Sequence, residues 1–412
     1  MEIIKMEEKK VIKCPLCYGI QNKISIHSKR NIYESVAILN NYPTHCNEEK
    51  YCIGNAHIDL FQCVECGYIF NKSFSFDKIK NIYEQDNTYY QQKYFTNRLS
   101  QHILKIKDSI LKYSKKSDIF LEIAPGQGDL LLALSKEAQI CYSIDPSTLS
   151  DKYCICDNII HVKSFFDKNI VYKLKHKINF IIFRHLLEHI DTPLTFLQDV
   201  VDLLEENGMI YIEVPNANDI FKFRRFIDLY HDHCGYYQKG VIANIMKKLN
   251  CELVEEIYYF EEQHMGLFFR KKISNNQKYF YSLYNNSLKH QIFNDIINFN
   301  TILKNYNTIA LYGGGGVQSH SLLNYIDMNN ISKINKAFEI NKEKVGKYMI
   351  NSDIQIKFPT VEELKNIDLL IMTIPSHEKY AFENEITVFM NKNEYKGDIL
   401  KMAHGIDLIK QY

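Results

Sequence analysis

The chain has no tryptophan. It also lacks a net charge of any size, a long apolar run and a leader-like N-terminus. The formal net charge is +1, so no general electrostatic pull on nucleic acid or anionic membrane is implied. No apolar stretch approaches the roughly 18–20 residues that span a bilayer. The opening Met1-Glu-Ile-Ile-Lys-Met-Glu-Glu-Lys-Lys carries no hydrophobic h-region. A soluble, cytoplasmic protein that binds neither nucleic acid nor membrane is expected. The missing tryptophan, set against abundant Tyr, Asn, Ile and Lys, reads as genome bias rather than function. At 412 residues the chain is too long for one ordinary core, and two or three domains are expected.

Eleven cysteines in a reducing compartment read as thiols or metal ligands rather than disulfides. Four of them form two knuckles, Cys14-Pro-Leu-Cys17 and Cys63-Val-Glu-Cys66, the second followed by Gly67. A two-residue spacer lets both thiolates of a knuckle reach one tetrahedral ion, and two knuckles complete a closed, structural Zn²⁺ site. Gly67 suits the tight turn such a knuckle needs. The long gap requires an inserted lobe between the knuckles. Its Cys46, Cys52, His45 and His57 are either a second ligand set or ordinary residues. The competing readings are four unrelated buried thiols or a redox pair, and neither knuckle opens a βαβ unit as a redox pair would.

Beyond a helical pattern at about 97–112, β/α alternation begins, with strands near 118–123, 139–144, 159–162, 178–184 and 209–214. Alternation of this kind implies a mainly parallel sheet with helices on both faces and ligands at the carboxyl ends of the strands. The first strand enters the turn Phe120-Leu-Glu-Ile-Ala-Pro-Gly-Gln-Gly128, and the second ends at Asp145. A glycine-rich turn lets backbone approach a small ligand, and a carboxylate at the next strand end holds a ribose diol. Asp167 follows the third strand and is placed near an adenine; Arg184 ends the fourth and is a further cofactor candidate. His185 and His189, four apart at a helix start, share a face. Capping and metal binding remain alternatives for them, although no HExxH is present. Next comes Ile227-Asp-Leu-Tyr-His-Asp-His-Cys-Gly-Tyr-Tyr237, two histidines flanking an acid in an aromatic frame. A neutral imidazole can remove a proton beside a carbonyl, and a neighbouring carboxylate fixes its tautomer. The alternative is an aromatic surface turn with satisfied histidines.

The turn built from Glu122, Ala124, Gly126 and Gly128 resembles motif I of class I S-adenosylmethionine (SAM) methyltransferases, with Ala124 in place of the first glycine. The whole order of paired CxxC knuckles, SAM domain, Tyr230-His231-Asp232-His233 and a C-terminal glycine-rich α/β unit resembles the sugar C-methyltransferases, which act on nucleotide-linked ketosugars. The resemblance implies an α/β protein: a class I SAM methyltransferase, Rossmann-like core, a Cys₄ zinc-binding domain before it and a Rossmann-like domain after it. It implies SAM as cofactor and a base within the histidine segment, His233 first and His231 second. The base deprotonates the carbon beside the sugar ketone, and the enolate takes the methyl. The family's histidine after the fourth strand maps onto His189, and its tyrosine before the sheet onto Tyr89 or Tyr90. Tyr230 and Tyr237 are expected to contact substrate. Asp232 stands where the family has Glu, and Arg184-His185 where it has Ala-Asn. These departures leave O-methylation of a sugar or small metabolite open, and a zinc-bearing binding module with a degenerate SAM fold is the rival from another class.

Domains are expected at 1–75, 76–265 and 266–412, in a monomer or weak homodimer. In the last, Asn307-Thr-Ile-Ala-Leu-Tyr-Gly-Gly-Gly-Gly316 reads as a strand and a phosphate-type turn. Val317-Gln318 follows where the family usually has a lysine, so the turn is either a ligand contact or only a packing device.

Overall fold

The computed structural model describes residues 12–20, 22–27, 58–74, 76, 80, 97–147, 156–272, 287–349 and 352–411. Tyr89 and Tyr90 lie outside the described residues, as do Cys46 and Cys52. Among the described residues no helix is long and apolar enough to cross a membrane.

Among the described residues three sheets organise the chain. The first contains β1 (Asn22–His27), β2 (Asp59–Cys63) and β3 (Ile69–Asn71), all antiparallel. The second is built on β4 (Ile119–Ile123), β5 (Ile140–Ile144), β6 (Ile159–Val162), β7 (Ile178–Arg184) and β8 (Leu204–Pro215), which are mutually parallel. In β7, Phe180 to Phe183 are all fully buried, because helices cover both faces of a parallel sheet. One covering helix, Asn97–Leu111, turns Ile103, Ile106 and Ile110 inward; another, Pro193–Leu203, starts with proline, whose missing N–H costs nothing at a helix start.

The histidine segment then leaves this unit. Its β9 (Gly235–Tyr236) pairs with β3 and becomes the fourth strand of the N-terminal sheet. The chain returns as an antiparallel hairpin, β10 (Cys251–Tyr259) and β11 (His264–Lys271), which completes a seven-stranded sheet in the order β10-β11-β8-β7-β4-β5-β6. The domain boundary expected at 265/266 falls inside β11, so the middle sheet runs on to Lys271.

The third sheet has the order β14-β13-β12-β15-β16-β17. Its strands are β12 (Ile309–Tyr312), β13 (Ile334–Phe338), β14 (Gln355–Lys357), β15 (Leu369–Met372), β16 (Asp398–Lys401) and β17 (Asp407–Ile409). All pair in parallel except β17, which runs antiparallel to β16. This is a second doubly wound unit, as its sequence pattern suggested.

Candidate active site

A cavity of about 770 Å³ lies where the carboxyl ends of the two parallel sheets meet. Ile123 to Pro125, Asp145, Asp167, Arg184, His189, Tyr230 and His233 line it from the central unit; Gly313, Gly316, Gln318, Glu339 and Lys344 line it from the C-terminal unit.

The turn after β4 has the backbone its glycines permit. Gly126 (φ 57°) and Gly128 (φ 74°) are left-handed, and so is Ala124 (φ 54°), whose amide donates to the Ile144 carbonyl across to β5 at 2.8 Å. An L-residue held left-handed costs about 1–2 kcal/mol. Ala124→Gly is therefore expected to stabilise the fold by about 0.5–1 kcal/mol after the added freedom of glycine in the unfolded chain is subtracted. The check is an upward shift of the urea midpoint at constant slope.

Asp145, at the end of β5, is 4% exposed. Its Oδ1 accepts from the amide and hydroxyl of Ser147 at 2.8 and 2.6 Å. Burial pushes its carboxyl above the usual range, against hydrogen bonds from Ser147 and the Gly126 amide. Glu122 is also buried, one of its oxygens has no partner among the described residues, and burial raises its carboxyl to about 8 despite the charge of Arg184. Ile144, Phe165 and Phe166 add apolar wall beside Asp145. Turn, acid and apolar wall suit a cationic, ribose-bearing cofactor, and the unpartnered Glu122 oxygen sits one residue before the cavity-lining turn. Asp167 is on the wall, but its Oδ1 accepts from the Asn169 amide at 2.7 Å. Arg184 is likewise on the wall, with its Nε given to Glu213 Oε2 at 2.9 Å.

The histidine segment divides. His233 faces the cavity, its ring edge-on to His189 and Tyr230 with centroids 4.8 and 4.5 Å away. Among the described residues neither of its ring nitrogens has a protein hydrogen-bond partner. Burial holds it well below the usual histidine range, reinforced by His189 and His185, so the ring is neutral at physiological pH. His189 Nδ1 lies 2.9 Å from the carbonyl oxygen of Asp232. That carbonyl can only accept, so it holds the proton of His189 on Nδ1 and fixes the tautomer of this ring. The Asp232 side chain is fully buried away from the cavity wall. His231 is also off the wall; its ring packs on Phe74, and its carbonyl accepts from Asn71 Nδ2 at 2.9 Å. Tyr230 lines the cavity and donates to Asp228 Oδ1 at 3.0 Å. Tyr237, expected at the substrate, is buried against Tyr68, whose hydroxyl donates to it at 3.1 Å. It joins the N-terminal sheet to the central unit and does not line the cavity.

The four cysteine sulfurs of Cys14, Cys17, Cys63 and Cys66 lie within 4.8 Å of one another. Cys14 Sγ is 3.7 Å from Cys66 Sγ, and Cys17 Sγ is 3.6 Å from Cys63 Sγ. The knuckles are matched: the Tyr18 amide returns to the Cys14 carbonyl and the Gly67 amide to that of Cys63, with Tyr18 (φ 61°) and Gly67 (φ 78°) both left-handed. The donor set and its convergence fit a tetrahedral zinc.

Sequence reasoning missed two features. Glu213, fully buried at the end of β8, gathers Arg184, His102, His185 and Tyr211 around one carboxylate. Burial disfavours a charged His185 ring, but Glu188 and Glu213 outweigh it and hold the ring up to about 9. The second is Lys344, buried on the cavity wall, whose Nζ donates to the Gly315 carbonyl at 2.6 Å. The turn itself is packed tight: a Cβ on Gly313 would meet Ile374 Cγ2 at 2.1 Å, and one on Gly314 would meet Ala337 Cβ at 2.3 Å. Gln318, just after the turn, donates to Asp228 Oδ1 at 3.2 Å.

Residues 92–256 match the family model of a methyltransferase domain, a span that holds the turn, Asp145, His189 and His233. No curated protein matches the chain at a significant level. Among solved structures, the chain is similar to an S-adenosylmethionine-dependent methyltransferase from Clostridium acetobutylicum, at 11% identity over 43% of this chain and 93% of that one, TM-score 0.35. It is similar to one from Archaeoglobus fulgidus at 15% identity over 42% and 94%, TM-score 0.36. It is also similar to magnesium protoporphyrin IX methyltransferase from Synechocystis with bound SAH, at 11% identity over 48% and 94%, TM-score 0.35. The central unit is a SAM-dependent methyltransferase domain with the class I, Rossmann-like fold.

Proposed function

We propose that this chain, with its SAM-dependent methyltransferase domain as the chemical core, C-methylates a nucleotide-linked ketosugar through an enolate, with His233 as the base. The observation that carries the reading is His233 itself: a neutral imidazole with unshared ring nitrogens, on the wall of the cavity that the motif turn also lines. Glu122, Ala124, Gly126, Gly128 and Asp145 hold the cofactor, with Asp167 and Arg184 at its margins. Bound SAM supplies an electrophilic methyl group. His233 takes the proton from the carbon beside the ketone. His189 gives its Nδ1–H to the Asp232 carbonyl, and its Nε2 stabilises the developing enolate oxygen as a donor in the imidazolium form, where both ring nitrogens carry protons. Tyr230 positions the His233 ring by packing against it.

The opposite wall suits the nucleotide. Lys344 and Gln318 bring a cation and a side-chain amide to the same cavity, while the amides of Gly313 to Gly316 are donated within the protein and hold the turn in shape. The four cysteines hold one structural zinc, which pins the sheet carrying β9 and hence the histidine segment.

The cofactor assignment is tested at Asp145. Hydrogen bonds to a charged group contribute about 1.5–3 kcal/mol, so Asp145→Ala is expected to weaken SAM binding by about tenfold or more with the fold intact. Calorimetry reads the dissociation constant directly, and an unchanged value places the ribose elsewhere.

A further inference from the structure

An ionised carboxylate offers about four lone-pair directions, and the partners of Glu213 exceed what they can serve. Oε2 accepts from Arg184 Nε at 2.9 Å and from the Tyr211 hydroxyl at 3.0 Å. Oε1 lies 2.9 Å from His102 Nε2. One direction on Oε1 remains, and two imidazole nitrogens converge on it, His185 Nε2 at 3.2 Å and His264 Nδ1 at 3.9 Å. Only one of them can donate there. Among the described residues His264 Nδ1 is buried with no hydrogen-bond partner, an unfavourable condition for a desolvated polar atom.

A cation that displaces the Nε2 proton of His185 accepts lone pairs from all three atoms at once and removes the conflict. We propose that His185, Glu213 and His264 form a divalent transition-metal site, separate from the four cysteines, with its open positions facing the cavity that both histidines line. The three ligand atoms lie within 4.8 Å of one another. Two imidazoles and one carboxylate with open positions are the donor set of non-haem iron(II), and zinc and manganese accept the same ligands.

The surroundings are those of a metal site. A ligating histidine nearly always has its other ring nitrogen held, most often by a carboxylate, carbonyl or water. His185 Nδ1 is 3.5 Å from Glu188 Oε1, and His264 Nε2 is 3.4 Å from Ser376 Oγ. Arg184 and Tyr211 fix the far oxygen of the carboxylate, which leaves Oε1 aimed at the two rings. The backbone of His185 is left-handed (φ 48°), and strain of this kind collects at functional sites. A second grouping of Glu188, His189 and His233 belongs to the base already described. The metal site stands whichever acceptor is methylated.

Cobalt(II) titration of the chelator-treated full-length protein tests it without reference to activity. Sulfur-to-cobalt charge transfer reports the cysteine site; a histidine–carboxylate site adds only weak visible bands. Wild type is expected to bind one ion more than His264→Ala, which keeps the thiolate signal. Ser376→Ala, a change in the partly exposed 3₁₀ turn Pro375–His377, should retain the ion with affinity weakened about 10- to 100-fold. Equal stoichiometry in wild type and His264→Ala, or cobalt bound only with the thiolate signature, overturns the proposal. So does unchanged affinity in Ser376→Ala, which keeps the test decisive if His264→Ala does not fold.

Discussion

Replacing His233 by alanine is expected to lower kcat by about 10²- to 10⁴-fold, the usual contribution of a general base, while the dissociation constant for SAM stays where it was. The separation follows from geometry. His233 packs on His189 and Tyr230, and the cofactor turn is carried by other strand ends of the same cavity. The pH profile provides an independent reading. Burial first, and then the neighbouring His189 and His185, hold the His233 ring well below the usual histidine range. The active form is the neutral one, so activity is lost only as pH falls through that depressed value. The acidic limb of kcat/KM in wild type should therefore lie below the ordinary histidine range near 6.5. A limb at or above that value points to a different base. His231→Ala is expected to leave the limb in place, because its ring packs on Phe74 away from the cavity wall.

Cys63→Ser is expected to abolish zinc binding at the four-cysteine site and to unfold the N-terminal sheet with it. Structural zinc sites contribute about 10–16 kcal/mol of apparent binding free energy at neutral pH, and that energy is folding energy. Here the consequence reaches the active site. Cys63 ends β2, β2 pairs with β3, and β3 pairs with β9, two residues after His233. The Tyr68–Tyr237 hydroxyl pair makes the same connection through side chains. Elemental analysis of wild type should find zinc in the cysteine site, and the variant should lose that equivalent together with solubility. Full zinc occupancy of the variant at this site contradicts the assignment.

Parallel strands buried on both faces were the most legible part of the sequence. In Ile178–Arg184 the apolar block Phe180–Phe183 is bounded by Asn179 and Arg184, and the structure keeps those limits. The hairpin β10–β11 was not foreseen, because Glu252, Glu255 and Glu256 break the apolar pattern of an edge strand that pairs on one side only. Motif-bearing residues were found because their chemistry is local: Glu122, the glycine turn and Asp145 sit at successive strand ends. The Glu213 cluster is the opposite case. Its histidines come from the helix Asn97–Leu111, the end of β7 and the start of β11, so no sequence window contains them. Lys344 was overlooked for a similar reason: it reaches the Gly313–Gly316 turn from beyond the next strand. Tyr237 was placed at the substrate by its company in the motif. Strand geometry sends neighbouring side chains to opposite faces, and its ring goes into the junction with Tyr68.

The central claim, enolate formation by His233 ahead of methyl transfer, is tested most directly by hydrogen exchange. Wild-type protein is incubated in deuterated water with a panel of nucleotide-linked ketosugars and no SAM, and the sugar is followed by NMR. The account predicts deuterium at the carbon beside the ketone for the accepted sugar, and none with His233→Ala. Transfer of labelled methyl to a sugar hydroxyl, with no exchange at any carbon, would contradict it and make the enzyme an O-methyltransferase.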